Sequence, residues 1–507
     1  MIGRNDGAGP PVDSAGEGKF WLTLIAAPAA QCLILPSNVS SAGRFELKGR
    51  SLFTFAWVAI SALGLWGQPA QPVIVFNDDG GWCWFEDERA IVHKDRLLIG
   101  SVTAGVHDSA RCGNIEVVTY ELSTGRKRLD VLHPNLSGGP DNRYDDHNSP
   151  VFLARPDGRI LTVYAKHGLE NHFYYRISVK PGDPSAWQPE RTFTPSTTSR
   201  ITYSNLLWLG GENGGKGRIY DFFRGLDGRN KPSCVWSDDQ GETWKAGNVF
   251  IDVPGQFPHR PYMKYVSNGA DTVHVFYTDG HPQEFKTNSN YHIYSKDGTL
   301  YKSDGVQIRT LAEGLKDSAE GTRIFPGNAE NIAWTSDIHL DREGRPFVAY
   351  TVRKAPAGAL ARHVGEDHRY HYARWDGKRW IDHEIAYAGS CLYTSELDYT
   401  GNITLDPDDA DTVYISTNVQ PKSGLPLRSN ADGKQHFEIF KGTTTDGGAS
   451  WSWKPITVNS SADNLRPLVP IWPGNRVAVL WLRGTYRTYT NYDLAVVGII
   501  ANRQRPH

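Results

Sequence analysis

Apolar and polar positions come in short bursts along most of the chain. Runs of β-branched and aromatic residues at 73–76, 96–100, 159–164, 272–277, 346–350, 412–416 and 476–481 are each bounded by Gly, Asp, Asn or Pro. Runs of this length and composition predict strands closed by turns. No stripe of apolar residues at helical spacing stands out over a fifteen-residue window. The 437 residues from 71 to 507 therefore read as an all-β unit. A propeller is the architecture that protects the sheet edges of so long a chain by radial repetition.

Two longer apolar runs near the start break this pattern. The first, 20–35, contains Pro28 and Cys32. The second, 52–66, follows Lys48 and Arg50 and leads into Gly67, Pro69 and Pro72. A basic flank, about 15 apolar residues and then small, turn-forming residues is the layout of a signal peptide, and the run is short for a membrane span. Residues 1–70 are expected to be a leader, with a signal peptide or anchor at about 51–70 preceded by an atypical extension. A buried helix is the alternative. Export would place the protein outside the cell or in a periplasm, among extracellular polymers.

Composition narrows the class further. With 54 Lys+Arg against 56 Asp+Glu, the net charge of −2 argues against a broad basic surface for nucleic acid. Hydrophobic residues at 39% and a mean hydropathy of −0.47 exclude a polytopic membrane protein, and 11% aromatics exclude a disordered one. A monomer without a stable membrane partner is expected. The five cysteines form no CxxC pair, so isolated thiols are expected rather than a zinc ribbon or a disulfide scaffold. One disulfide between distant cysteines stays open.

Two segments share a pattern. Ser237, Asp239, Gly241, Thr243 and Trp244 match Thr444, Asp446, Gly448, Ser450 and Trp451 in S/T-x-D-x-G-x-S/T-W spacing, which resembles the Asp-box turn of sialidase-type propellers. The Asp can accept backbone N–H bonds across a tight hairpin, the Gly supplies a permissive backbone and the Trp can pack between blades. Such turns speak for architecture and not for activity.

The densest polar cluster is Asp145, Asp146, His147, Asn148 and Ser149, followed by Lys166, His167 and Gly168. Gly158 between them marks a turn, so a hairpin could bring His147 and His167 to one rim; two surface histidines are the bland alternative. Thr202 and Tyr203 come next, and Arg224 closes an aromatic strand. There its guanidinium could hold a carboxylate in a bidentate way or merely stack on neighbouring rings.

The ordered set of Gly81 to Arg89, Asp146-His147-Asn148, Lys166-His167-Gly168, Thr202-Tyr203, Phe222-Phe223-Arg224, Arg260-Pro261-Tyr262 and Thr278 to Pro282 resembles the secreted β-propeller polysaccharide lyases. These are the ulvan lyases and the rhamnose-α-1,4-glucuronate lyases, grouped with BNR-repeat proteins. The resemblance implies a seven-bladed β-propeller and β-elimination at a uronic acid of an ulvan-like or gum-arabic-like polysaccharide, leaving a 4,5-unsaturated end. It also implies roles. His147, His167 and Tyr203 form the acid/base group, Arg224 neutralises the carboxylate, and Asn148, Arg260, Tyr262 and His281 contact substrate. Which of His147, His167 and Tyr203 is the base stays open. Arg218 competes with Arg224, because the loop at 210–217 shifts the alignment. The separation of Asp239 from Asp446, 207 residues, is not a whole number of equal blades, so the blades are unequal or the count is not seven.

The chemistry accounts for these residue types. Imidazole exchanges protons near neutrality, a phenol near 10 needs a cation beside it to act as a base, and a guanidinium stays charged. No cofactor is required, although a structural divalent ion near Asp337, His339, His371 or Cys391 is a further expectation. The rival functions are a sialidase-like hydrolase, which would need paired carboxylates or a Tyr–Glu couple, and a noncatalytic carbohydrate-binding propeller. No sialidase-type F/Y-R-I-P motif occurs.

Overall fold

The computed structural model describes residues 72–136, 144–255, 260–355 and 365–503. The leader expected over 1–70 lies outside them. Among the described residues the strands form seven antiparallel sheets, each built mainly from consecutive strands. In the first, Ala90–His93, Arg96–Val102, Ile115–Glu121 and Lys127–His133 pair in order. The last blade is composite. Asp463–Leu468, Arg476–Thr488 and Asn491–Asn502 are completed by Ile74–Asn77 from the other end of the described chain. The fold is the expected seven-bladed β-propeller, and its blades are unequal. The fourth has six strands where the others have four or five.

Burial explains the near-continuous apolar runs. A middle strand such as Pro346–Lys354 is buried along almost its whole length, because neighbouring blades cover both of its faces. The outer strand Lys127–His133 is mostly exposed and carries charges, which blunts a sheet edge.

Both Asp-box turns join the third and fourth strands of a blade, the third blade for Asp239 and the sixth for Asp446. The 207 residues between them thus span three unequal blades. Asp239 accepts from the Thr243 backbone N–H at 2.8 Å and from its hydroxyl at 2.6 Å, while Ser237 Oγ accepts from Gly241 N–H at 2.7 Å. Asp446 repeats this on Ser450 at 2.9 and 2.5 Å. Trp244 meets Phe173 of the second blade edge-on, and Trp451 meets Tyr372 of the fifth. Each turn therefore pins one blade to the blade before it. Among the described residues, Cys83, Cys234 and Cys391 are free thiols.

Candidate active site

Residues at or beside the beginnings of the first strands of several blades meet in one aromatic cluster. Tyr203, Tyr262, Trp334, Tyr399 and Leu465 pack there around Trp84 and Phe85. First strands therefore line the propeller axis. Because the second strand runs antiparallel to the first, its far end returns to the same rim. This places three pairs of candidate side chains: His147 with His167, Tyr203 with Arg224, and Tyr262 with His281. Their intervals of 20, 21 and 19 residues are one hairpin repeated in consecutive blades.

In the second blade His147 sits in a 3-10 turn, Asp146–Asn148, capped by Asp145. Gly158, with φ of 79°, turns the chain so that His167 comes back beside it. The two imidazoles stack at 4.1 Å with planes 6° apart. Asp145 divides its carboxylate between them, one oxygen 2.8 Å from His147 Nδ1 and the other 2.8 Å from His167 Nδ1. Burial works against ionising Asp145, yet the two imidazoles hold it below the ordinary carboxylate range. His147 is buried, which opposes its charged form, but Cys83, Tyr203, Tyr399 and Asp145 around it raise its pKa well above the usual histidine value. Burial and the neighbouring His147 instead lower His167. The stacked pair thus holds one proton more readily than two, and His147 keeps it.

The buried Asn148 amide bonds to backbone on either side of this turn. Its Nδ2 donates to Leu136 O at 2.9 Å and its Oδ1 accepts from the His167 backbone N–H at 2.9 Å. Asn148 thereby ties His167 to the turn.

In the third blade Tyr203 has φ of 64° within an irregular stretch between Thr202 and Asn205. Buried Asn205 fastens this stretch through Phe85 O and Tyr203 O. The irregularity turns the phenol over Arg224, which pairs in register with Thr202. Arg224 lies between two phenol faces, 4.6 Å from the Tyr203 centroid and 4.7 Å from that of Tyr262. Its Nε and Nη1 are buried without a hydrogen-bond partner. Arg218, the alternative, is paired instead with Asp238 at 2.7 Å and Glu212 at 3.0 Å. Burial opposes ionisation of Tyr262, but Arg224 and Arg260 draw its pKa below the ordinary phenol value. Tyr203 goes the other way, raised by burial and by Tyr262 despite His147 and Arg224.

In the fourth blade Arg260 pairs with Glu284 at 2.8 Å. His281 lies edge-on to Tyr262 and Trp334, with Nε2 3.6 Å from Glu396. Burial, then Arg260 and Arg224, keep His281 well below the usual histidine value.

The site also contains residues that sequence reasoning did not single out. Tyr399 Oη lies 3.2 Å from His147 Nε2. Arg466 is buried and pairs with Asp146 at 2.6 Å, with Tyr486 Oη at 2.7 Å from its other Nη. No motif marks Tyr399 or Arg466; they arrive from the sixth and seventh blades. Glu86 is sealed in, both oxygens without a partner, and burial pushes it up to about 8, so it is a neutral acid near pH 7.

The residues expected to hold a metal do not converge. Asp337 and His339 are 3.5 Å apart, His371 faces Asp382 at 3.3 Å, and Cys391 belongs to neither pair. Among the described residues, the sets whose ligand atoms do converge are Cys83 with Asp146 and His147, and Asp145 with His147 and His167. Both lie within the site itself.

Residues 107–388, more than half the chain, match the model of the BNR repeat-containing family. The chain belongs to that family. This BNR-repeat chain is 21% identical over 356 residues to a curated ulvan lyase, PL25, of Pseudoalteromonas sp. (strain PLSV), a match covering 61% of this chain and 65% of the relative. The match thus spans just under two thirds of that relative's length. Among solved structures, a PL25 ulvan lyase bound to -[GlcA(1-4)Rha3S]- is 15% identical, with a TM-score of 0.58 over 84% of this chain and 95% of the other. The polysaccharide lyase Uly1 is 12% identical, with a TM-score of 0.54 over 83% and 90%. These two structures share the propeller fold of the BNR-repeat chain.

Proposed function

We propose that the protein is a polysaccharide lyase that cleaves a rhamnose- and glucuronate-containing anionic polymer by β-elimination at the uronic acid. The observation that carries this reading is Arg224: a buried guanidinium, two of its nitrogens without partners, placed between two phenols and beside a stacked histidine pair. A buried cation left unpaired is costly, and a sugar carboxylate is the planar anion its fork would fit. Neutralising that carboxylate lowers the barrier to removing the proton at C5. The C5–H bond then breaks to a base, its electron pair forms the C4=C5 double bond, and the C4–O4 bond breaks with its pair left on O4. A neutral acid protonates O4. Tyr203, held protonated, suits that step, and His167, held neutral, suits the first. All of these groups are side chains of the chain itself, so on this reading the chemistry needs no cofactor.

Hydrolysis fits less well, because Glu86 is sealed and neutral while Asp145 is committed to two imidazoles. The test is incubation with ulvan and with gum arabic in H₂¹⁸O. The reading expects ultraviolet absorbance from unsaturated ends, with no ¹⁸O in the new termini. Saccharide release with ¹⁸O incorporated and no absorbance would replace the lyase by a hydrolase.

A further inference from the structure

Asp145 is one of the buried titratable groups at the site that the reaction scheme above leaves without a task. It belongs to the cap of a short turn, and a cap needs only one oxygen. Here Oδ1 already accepts the His147 backbone N–H at 2.9 Å, yet the same carboxylate also meets an Nδ1 from each of two residues 20 positions apart. A carboxylate is acceptor-only when ionised. Both histidines must therefore donate Nδ1–H to it, which in the neutral ring, His167, leaves Nε2 as the open nitrogen. His147 Nε2 is engaged with the Tyr399 hydroxyl. Among the described residues nothing bonds Nε2 of His167, whose side chain keeps 23% of its surface exposed.

We propose that Asp145 is the positioning residue of the site. Its one carboxylate orients both imidazoles and fixes the tautomer of the neutral one, so that His167 presents an Nε2 lone pair and takes the C5 proton. This rests on the lyase reading and deepens it by naming the base. When the C5–H bond breaks, the proton moves to Nε2 and His167 becomes an imidazolium, while the electron pairs move to C4=C5 and O4 as described. The new cation would stand 4.1 Å above His147, and the Asp145 carboxylate at its Nδ1 is what makes that charge tolerable. Among the described residues, other titratable groups facing the two rings are Asp146, Cys83 and Glu86 on the His147 side, Tyr399, Tyr489 edge-on to both, Tyr203 and Arg224.

Asp145→Asn is the informative change. An amide has one acceptor oxygen and one donor nitrogen, so it cannot receive Nδ1–H from two imidazoles on separate atoms. The proposal expects kcat to fall roughly 10²- to 10⁴-fold with KM little altered, because Asp145 does not touch substrate. Removing the anion makes the histidine pair easier to deprotonate, so the acid limb of the pH–kcat/KM profile should move to lower pH. Asp145→Glu should recover part of the rate. An unchanged pH profile, or a loss appearing in KM alone, overturns the proposal.

A second measurement needs neither turnover nor a folded Asp145 variant. Nitrogen-15 spectra of the histidine-labelled full chain near neutral pH should show His167 protonated at Nδ1 and bare at Nε2, assigned by the signal lost in His167→Gln. The opposite tautomer overturns the proposal even if Asp145→Asn fails to fold. A chain that shows the expected tautomer but makes no unsaturated product sinks the lyase reading, and with it the choice of base, while the clamp on the tautomer stands.

Discussion

Arg224 and Arg466 are both buried guanidiniums on the axis of the propeller, yet they differ in what they lack. Arg466 is paired with Asp146, whereas Arg224 faces two phenols and no carboxylate. Arg466→Met strips the partner from a buried carboxylate and should cost about 3–5 kcal/mol, read as a lower urea midpoint. Arg224→Met removes a buried charge that has no anionic partner in the free protein. Its urea midpoint should hold or rise while kcat/KM falls roughly 10²- to 10³-fold, the loss typical of one transition-state donor. Arg224→Lys keeps the charge without the fork and should rescue little. Opposite stability effects from these two buried arginines would identify Arg224 as the one kept for a ligand. Part of this was legible from residue types, since an Arg closing an aromatic strand near two histidines suggested the carboxylate holder. The partners of Arg466 were not, because Asp146 lies 320 positions away and no local pattern connects them.

At the scale of the hairpin, the site is one device used three times. The end of a second strand is returned beside the start of a first strand in the second, third and fourth blades. The interval near 20 residues was visible for the histidines. Its recurrence in Tyr203 with Arg224 and Tyr262 with His281 was hidden by the loop at 210–217 and by residue types that differ from pair to pair. The fourth blade carries a second histidine pair away from the site. His274 Nδ1 lies 3.1 Å from His292 Nε2, and His292 Nδ1 lies 2.8 Å from Ser303 Oγ, which Trp380 of the fifth blade also reaches at 2.9 Å. Burial holds His274 down at about 4, and burial with His274 as neighbour keeps His292 well below the usual value. Both therefore bind protons more readily unfolded than folded. Their stabilisation is complete above the unfolded value near 6.5 and is lost as pH falls from there toward 4. For His274 alone this is on the order of 3 kcal/mol. His274→Gln should flatten the fall in urea midpoint between pH 6.5 and 4; an equally steep fall in that variant would place the acid sensitivity elsewhere.

At the scale of the molecule, closure depends on four residues. Ile74–Asn77 supplies the last strand of the seventh blade, and Asn77 also reaches Glu116 of the first at 3.1 Å. Deleting residues through Asn77 should open the ring, exposing a sheet edge and lowering the melting temperature, with dye-accessible apolar surface as the check. A truncation that melted like the full chain would show that the closing strand contributes little. The sequence by itself determined the strand-rich class, the Asp-box turns and the residue types suited to uronate chemistry, because strand runs, turn glycines and hydrogen-bond inventories are local properties. Only the tertiary structure decided how many blades close the ring, which arginine stands without an anion, that Asn148 ties its turn to His167, and that Asp145 joins two histidines. Each of these depends on which side chains from distant blades meet at the axis, and that is set by ring closure and unequal blade lengths rather than by any stretch of neighbouring residues.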